Sequence, residues 1–183
     1  MLTCDGCATT LFVKDSALLS AGHAGDMHAG PQLFGLGDCV RFGKTRVTLL
    51  GHARFSYGRG WWDEYWGTDT RGEGVWVSVD EGDIVLQRPL PRDERPMIGR
   101  TAKLGSLTMF RGEELHVTER DSATCIAVRG SFDEMLAIGE TYQFVNLEGS
   151  GGMMLSGEFS EAGPAWFIGS WFDPFEIEIV IAP

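Results

Sequence analysis

The sequence predicts an all-β protein: two packed antiparallel β units, barrel-like or a sandwich, behind a short cysteine-bearing arm. Three observations lead there. Runs of β-branched and aromatic residues recur along the chain, separated by turn clusters in which Gly supplies positive φ and Asp caps its own backbone. Gly accounts for 25 of 183 residues, which suits many short strands and tight turns. The C-terminal run Phe175 to Ile181 alternates apolar residues with Glu176 and Glu178, the pattern of a half-buried strand with acidic residues facing water.

Residues 1–33 read as an arm. Cys4-Asp5-Gly6-Cys7 is a knuckle, Thr9 to Val13 a strand, Asp15 to Leu19 the start of a short helix, and Gly22 to Gly30 a run of small residues. Residues 34–99 read as the first β unit. Its strands are Val47 to Phe55, Trp61 to Trp66, Val75 to Val79 and Ile84 to Leu86, joined by Tyr57 to Gly60, Asp69 to Gly72 and Asp80 to Asp83 as an antiparallel meander. Arg88 to Gly99, with three prolines and five charges, reads as an exposed connection. Residues 100–183 read as the second β unit. Its strands are Leu107 to Phe110, Leu115 to Glu119, Thr124 to Val128, Tyr142 to Leu147, Met153 to Phe159, Trp166 to Phe172 and the C-terminal run, with a helical turn over Phe132 to Ile138. The units align loosely as a distant repeat: Gly43 to Thr48 against Gly112 to Thr118, and Gly74 to Ser78 against Gly152 to Ser156.

Leu49 to Leu86 holds four of the six tryptophans. Strand parity puts Trp62, Glu64 and Trp66 on one face of WWDEYW, and Trp61, Asp63 and Tyr65 on the other. Each face mixes aromatics with a carboxylate, so this strand is expected to be covered on both sides or left partly open. Burying one Trp removes roughly 150–250 Å² from water, worth about 4–6 kcal/mol at 25 cal/mol/Å². Two readings follow: core aromatics with paired carboxylates, or an aromatic groove for a ligand or peptide formed by Trp61, Trp62, Glu64, Trp66 and Trp76.

The runs GRGWWDEYW and GVWVSVDEGD resemble the "W-D-E-W" strand and "W-L-S-E-D-G" hairpin of the bacterial domain of unknown function 4178 family. They stand here as Trp62-Asp63-Glu64-Tyr65 and Val75 to Gly82. The resemblance runs from about Phe34 to Trp171 and includes GETYQFVNLEGSGGMMLSGEF, residues 139–159. It implies the fold rather than a reaction, because the family has no established activity. It also implies that the knuckle matches the second of two CxxC pairs with which longer members open.

The net charge is −11, and no Lys/Arg cluster offers a basic face, so nucleic acid and anionic membrane are not expected partners. No apolar run is long enough to cross a membrane as a helix. The first residues lack the basic and apolar regions of a secretory signal, and four cysteines at 4, 7, 39 and 125 make no dense disulfide framework. A cytoplasmic protein is expected. Cys4, Cys7, His23 and His28 approach zinc-finger spacing, so zinc is the candidate cofactor of the arm; a metal-free knuckle and a redox CxxC are the other readings. Asp63 and Glu64, adjacent on a strand, cannot pair with each other, and Asp80, Glu81 and Asp83 read as turn caps. There is no nucleophile elbow, P-loop or dinucleotide fingerprint. His52 and His116 read as strand histidines, and Cys39 and Cys125 as small buried hydrophobes.

The function expected is a non-enzymatic binding or scaffold module that engages a protein or small molecule through its aromatic β surface. A small zinc-binding protein, and an enzyme assembling distant residues such as Glu64, His52 and His116, are the alternatives. The sequence does not specify the oligomeric state.

Overall fold

A computed structural model of the protein describes residues 32–160 and 163–180 in full, and the backbone of three N-terminal strands. Those strands, β1 (Leu2–Thr3), β2 (Thr9–Lys14) and β3 (Ala17–His23), form a small antiparallel sheet. The short helix expected from Asp15 is replaced over Ala17–His23 by β3, which pairs back on β2 from Lys14↔Ala17 to Thr9↔His23. A helix this short would have one costly nucleus and almost no propagation.

The rest is one antiparallel sheet of eleven strands. In chain order they are β4 (Cys39–Phe42), β5 (Thr45–Ser56), β6 (Trp61–Asp69), β7 (Gly74–Asp80), β8 (Asp83–Pro89), β9 (Leu107–Phe110), β10 (Glu113–Gly130), β11 (Thr141–Gly149), β12 (Met153–Ser160), β13 (Gly163–Phe172) and β14 (Ile177–Val180). Eight of them, β5-β6-β7-β8-β13-β12-β11-β10, close into a barrel because β10 also pairs with β5. No α-helix occurs among the described residues. Residues 34–99 and 100–183 each contribute four consecutive strands, β5 to β8 and β10 to β13, a half of this one barrel. Each half runs through a short strand, a hairpin, a long strand and three meander strands. The halves join twice, β5 on β10 and β8 on β13. The hairpin turns at Gly43 and Gly112, aligned in the sequence, occupy equivalent places and both have positive φ.

Three local expectations change. The separate strands over Leu115 to Glu119 and Thr124 to Val128 are one strand, β10, which serves β11 with its first part and β5 with its last. It turns this corner through irregularities between Val117 and Glu119 and between Cys125 and Ala127. Such bulges raise the local twist that a closed barrel needs. The helical turn over Phe132 to Ile138 is absent. That segment instead folds over one end of the barrel, where Phe132 and Leu136 pack with Trp66, Trp76, Val128 and Phe167. The C-terminal strand begins only at Ile177, after a 3₁₀ turn at Pro174–Glu176 that leaves Phe175 95% exposed. Ile179 is also exposed, since β14 is an edge strand with β4 as its neighbour.

Two further clusters lie on the outer face. One gathers Phe34, Val40, Phe42, Val47, Tyr65 and Val77 under β4 and the Phe34 segment. The other gathers Leu90, Phe110, Leu115, Leu147, Leu155 and Trp166 on the opposite half. Both faces of the barrel strands are thus covered, which explains aromatics at consecutive positions of WWDEYW.

The seam closes tightly at Gly130. Its φ is +80°, and a Cβ there would lie 2.2 Å from the Leu50 carbonyl oxygen, which accepts from Ser131 N at 2.8 Å. Gly130→Ala should therefore cost about 2–4 kcal/mol, from left-handed strain and backbone overlap together. That lowers the thermal midpoint by roughly 5–15 °C for a chain of this size. Gly99→Ala, where a Cβ meets nothing within 4 Å, should leave the midpoint within about 2 °C. Calorimetry of the two variants checks the contrast.

Candidate functional site: an acidic, aromatic barrel lumen

Strand periodicity sends alternate residues inward. From β6 come Trp62 and Glu64; from β7, Ser78 and Asp80; from β8, Asp83, Val85 and Gln87. From the second half come Glu119 and Asp121 of β10, Phe144 and Asn146 of β11, Met154, Ser156 and Glu158 of β12, and Trp171 of β13. With Tyr57 and Arg59 of the β5–β6 turn, they line a cavity of about 280 Å³. This is near the small end of ligand pockets, roughly 300–1,000 Å³, and fits an eight-stranded barrel, whose interior holds side chains or one small ligand. Below it a void of about 20 Å³ touches Glu64, Gln87 and Glu158 from above and Trp76, Leu136, Phe167 and Glu134 from beneath. The lumen is therefore blind, with a floor of apolar rings and one carboxyl.

Trp62 is fixed by rings on three sides. Phe55 and Tyr57 stack with it at 5.6 and 6.0 Å, and Phe144 meets it edge-on at 5.5 Å. Its Nε1–H donates to Glu64 Oε1 at 2.9 Å. Glu64 is 9% exposed, and its other oxygen, Oε2, is buried with no hydrogen-bond partner. The Ser78 hydroxyl, opposite Glu64 in the β6–β7 register, lies close enough to favour the ionised form without making a bond of ordinary geometry. Burial outweighs Ser78 and Trp62 and pushes the Glu64 carboxyl up to about 7. Burial, with Glu64 and then Glu134 nearby, pushes Glu158 up to about 8. Glu158 is only half-buried by area, because its side chain borders the lumen; the protein around it still makes charging it costly.

The other face of β6 is electrostatically complete. Asp63 accepts from Arg54 Nε at 2.8 Å and Arg54 Nη2 at 3.1 Å, and lies 2.8 Å from His52 Nε2. Burial pushes Asp63 up, but the hydrogen bonds from His52 and Arg54 overcome it and hold the carboxyl below its ordinary value. His52 stacks on Tyr65 with centroids 4.3 Å apart, and the Arg54 guanidinium lies 3.7 Å from the centre of the Trp61 ring.

Of the expected ligand-binding residues, the barrel brings Trp62 and Glu64 together in the lumen. Trp66 and Trp76, 5.3 Å apart, belong to the apolar packing at the closed end. Trp61 lies outside the barrel, 48% exposed. Cys4, Cys7 and His28 lie outside the described residues, as does the side chain of His23. Among the described residues no group of three or more His, Cys, Asp or Glu side chains could hold a metal. Glu64, His52 and His116 are not brought together: Glu64 faces the lumen, His52 the outer face, and His116 is exposed on β10. Cys125 is buried and its thiol pushed up to about 12, mainly by burial, as a packing cysteine should be. Sequence reasoning missed Asp80, Asp83, Asn146 and Glu158. Their signal was present in the parity of Trp76-Ser78-Asp80, Phe144-Asn146 and Met154-Ser156-Glu158, polar positions that a one-sided sheet would turn to water.

These features define a closed antiparallel β-barrel with an aromatic, carboxyl-bearing lumen. The sequence matches the profile of Domain of unknown function (DUF4178) over residues 35–174, most of the chain, and the protein belongs to that family. No curated protein and no solved structure matches it.

Two predictions follow from the two faces of β6. Glu64 and Glu158 titrate above the ordinary 4.5, so between about pH 4.5 and 8 the folded protein keeps protons that the unfolded chain has released, and stability falls as pH rises through that window. Glu64→Gln removes one such group and relieves Glu158. Relative to wild type it should gain on the order of 1–3 kcal/mol between pH 5 and pH 8, measured by urea unfolding at both; parallel curves would contradict this. Asp63→Ala strands the buried Arg54 charge and should cost about 3–5 kcal/mol, read from the same urea curves at pH 7.

Proposed function

We propose that the protein is a non-catalytic binding module whose site is the barrel lumen, and that its ligand is a small molecule rather than a docked protein. The observation that carries this reading is the convergence of seven barrel strands and one turn on a single blind cavity, with a fixed indole, Trp62, on its wall. Apolar walls with a few placed polar groups are what small-ligand sites share. Ser78, Gln87, Asn146 and Ser156 supply the neutral polar groups. Glu64 and Glu158 sit where a ligand's far end would rest, against the floor. A cytoplasmic location accords with this role, as a carrier or sensor of a soluble metabolite.

Indole N–H resonances test the reading. Small fragments that bind should shift the Trp62 and Trp171 signals and leave Trp166, buried on the outer face of β13, in place. Ser156→Phe, which fills the cavity, should weaken those fragments by about tenfold or more. Fragments that perturb only Trp61, or that bind the filled variant equally well, would overturn the lumen as the site.

A further inference from the structure

We propose that the lumen is built for an organic amine, bound as its primary or secondary ammonium ion with the N–H groups on Glu64 and Asn146 and the carbon skeleton against Trp62 and Phe144. The inference rests on the lumen being the binding site and names the chemistry it selects.

The argument starts from hydrogen bonds that are not made. Among the described residues, two buried side-chain atoms lack a partner: Glu64 Oε2 and Asn146 Oδ1. Both residues line this one cavity, and with Glu64 ionised both atoms are acceptors. The amide of Asn146 is oriented by its other end, Nδ2 donating to Glu119 Oε2 at 2.9 Å, which leaves the carbonyl without a donor. Glu64 is similarly half-used, Oε1 taken by Trp62 and Oε2 open. A buried acceptor without a donor costs about 1–3 kcal/mol, so native proteins rarely keep two in one place unless something else donates. A ligand that satisfies both must carry at least two donors.

Charge narrows the class. The lining contains six carboxyl side chains, Glu64, Asp80, Asp83, Glu119, Asp121 and Glu158, against one cation, Arg59 in the β5–β6 turn. An anion would meet repulsion along its whole path. Asp63, one residue from Glu64, shows what a compensated carboxylate looks like in this protein, with Arg54 and His52 both on it; Glu64 has no such cation. Trp62 and Phe144 add ring faces and edges beside Glu64, and an aromatic face attracts an ammonium ion. The floor of Trp76, Leu136 and Phe167, with Glu134 beside them, limits length, and Glu64 against it places the ammonium at the inner end of the ligand.

Calorimetry at pH 8 with the full chain tests the proposal, using three probes of one skeleton: benzylamine, benzyl alcohol and benzyltrimethylammonium. Benzylamine should bind one to one, and the neutral alcohol and the quaternary ion, which lacks N–H donors, at least about tenfold more weakly. Glu64→Gln should weaken benzylamine about tenfold or more and leave the alcohol unchanged. Asn146→Leu is the second variant, and circular dichroism confirms that each is folded. Equal binding of alcohol and amine, equal binding of the quaternary ion, or benzylamine binding insensitive to both variants overturns the amine assignment. If none of the three binds while neutral or anionic fragments shift Trp62, the amine assignment fails and the lumen reading stands. If nothing shifts Trp62, both fail.

Discussion

The pairing of β5 with β10 is the constraint on which the rest depends. Without it the eleven strands would be an open, strongly twisted sheet with two edges and no interior. With it, alternate residues of eight strands face one another across a lumen, and a polar face that would otherwise be solvated becomes the wall of a cavity. The pairing runs from Gly51↔Gly130 to Ser56↔Thr124 and requires close backbone approach at the first of these pairs. It also requires β10 to be long enough, from Glu113 to Gly130, to give one stretch to β11 and another to β5.

Closure also separates two kinds of carboxylate that are neighbours in the chain. Asp63 and Glu64 differ by one residue, hence by one side of a sheet. Outside, Asp63 is held ionised by Arg54 and His52 under the cover of Trp61. Inside, Glu64 shares its surroundings with Glu158 and no cation, and both titrate high. Asp69, the last residue of β6, is a third case. Burial pushes it up, yet the backbone N–H groups of Arg71 and Glu73, with Arg88, hold it at about 2.

Much of the fold was legible in the sequence, because strand runs and Gly/Asp turns are local signals. The meander from Val47 to Leu86, the facing sets of WWDEYW and the equivalence of the Gly43 and Gly112 hairpins all belong to that class. The site was less legible. Trp62 and Glu64 could be named, since four tryptophans crowd one stretch, but their partners Phe144, Asn146 and Glu158 come from strands that meet β6 only through the closed ring. Asp80 and Asp83 resemble ordinary turn acids until the lumen places them at its mouth. The helical turn expected at Phe132 failed for a related reason: FDEMLAI has the local look of a helix, but its apolar residues are spent capping the barrel end.

The crowd of acids along the lumen has a consequence for what approaches it. Six carboxyls and one arginine around a cleft with low-dielectric walls focus a negative potential into the cavity, and salt screens it least where the charges are buried. Such a field favours cations over anions at the mouth of the lumen, where Asp80 and Asp83 lie. A charged molecule approaching that mouth would feel a field whose strength falls as ionic strength rises.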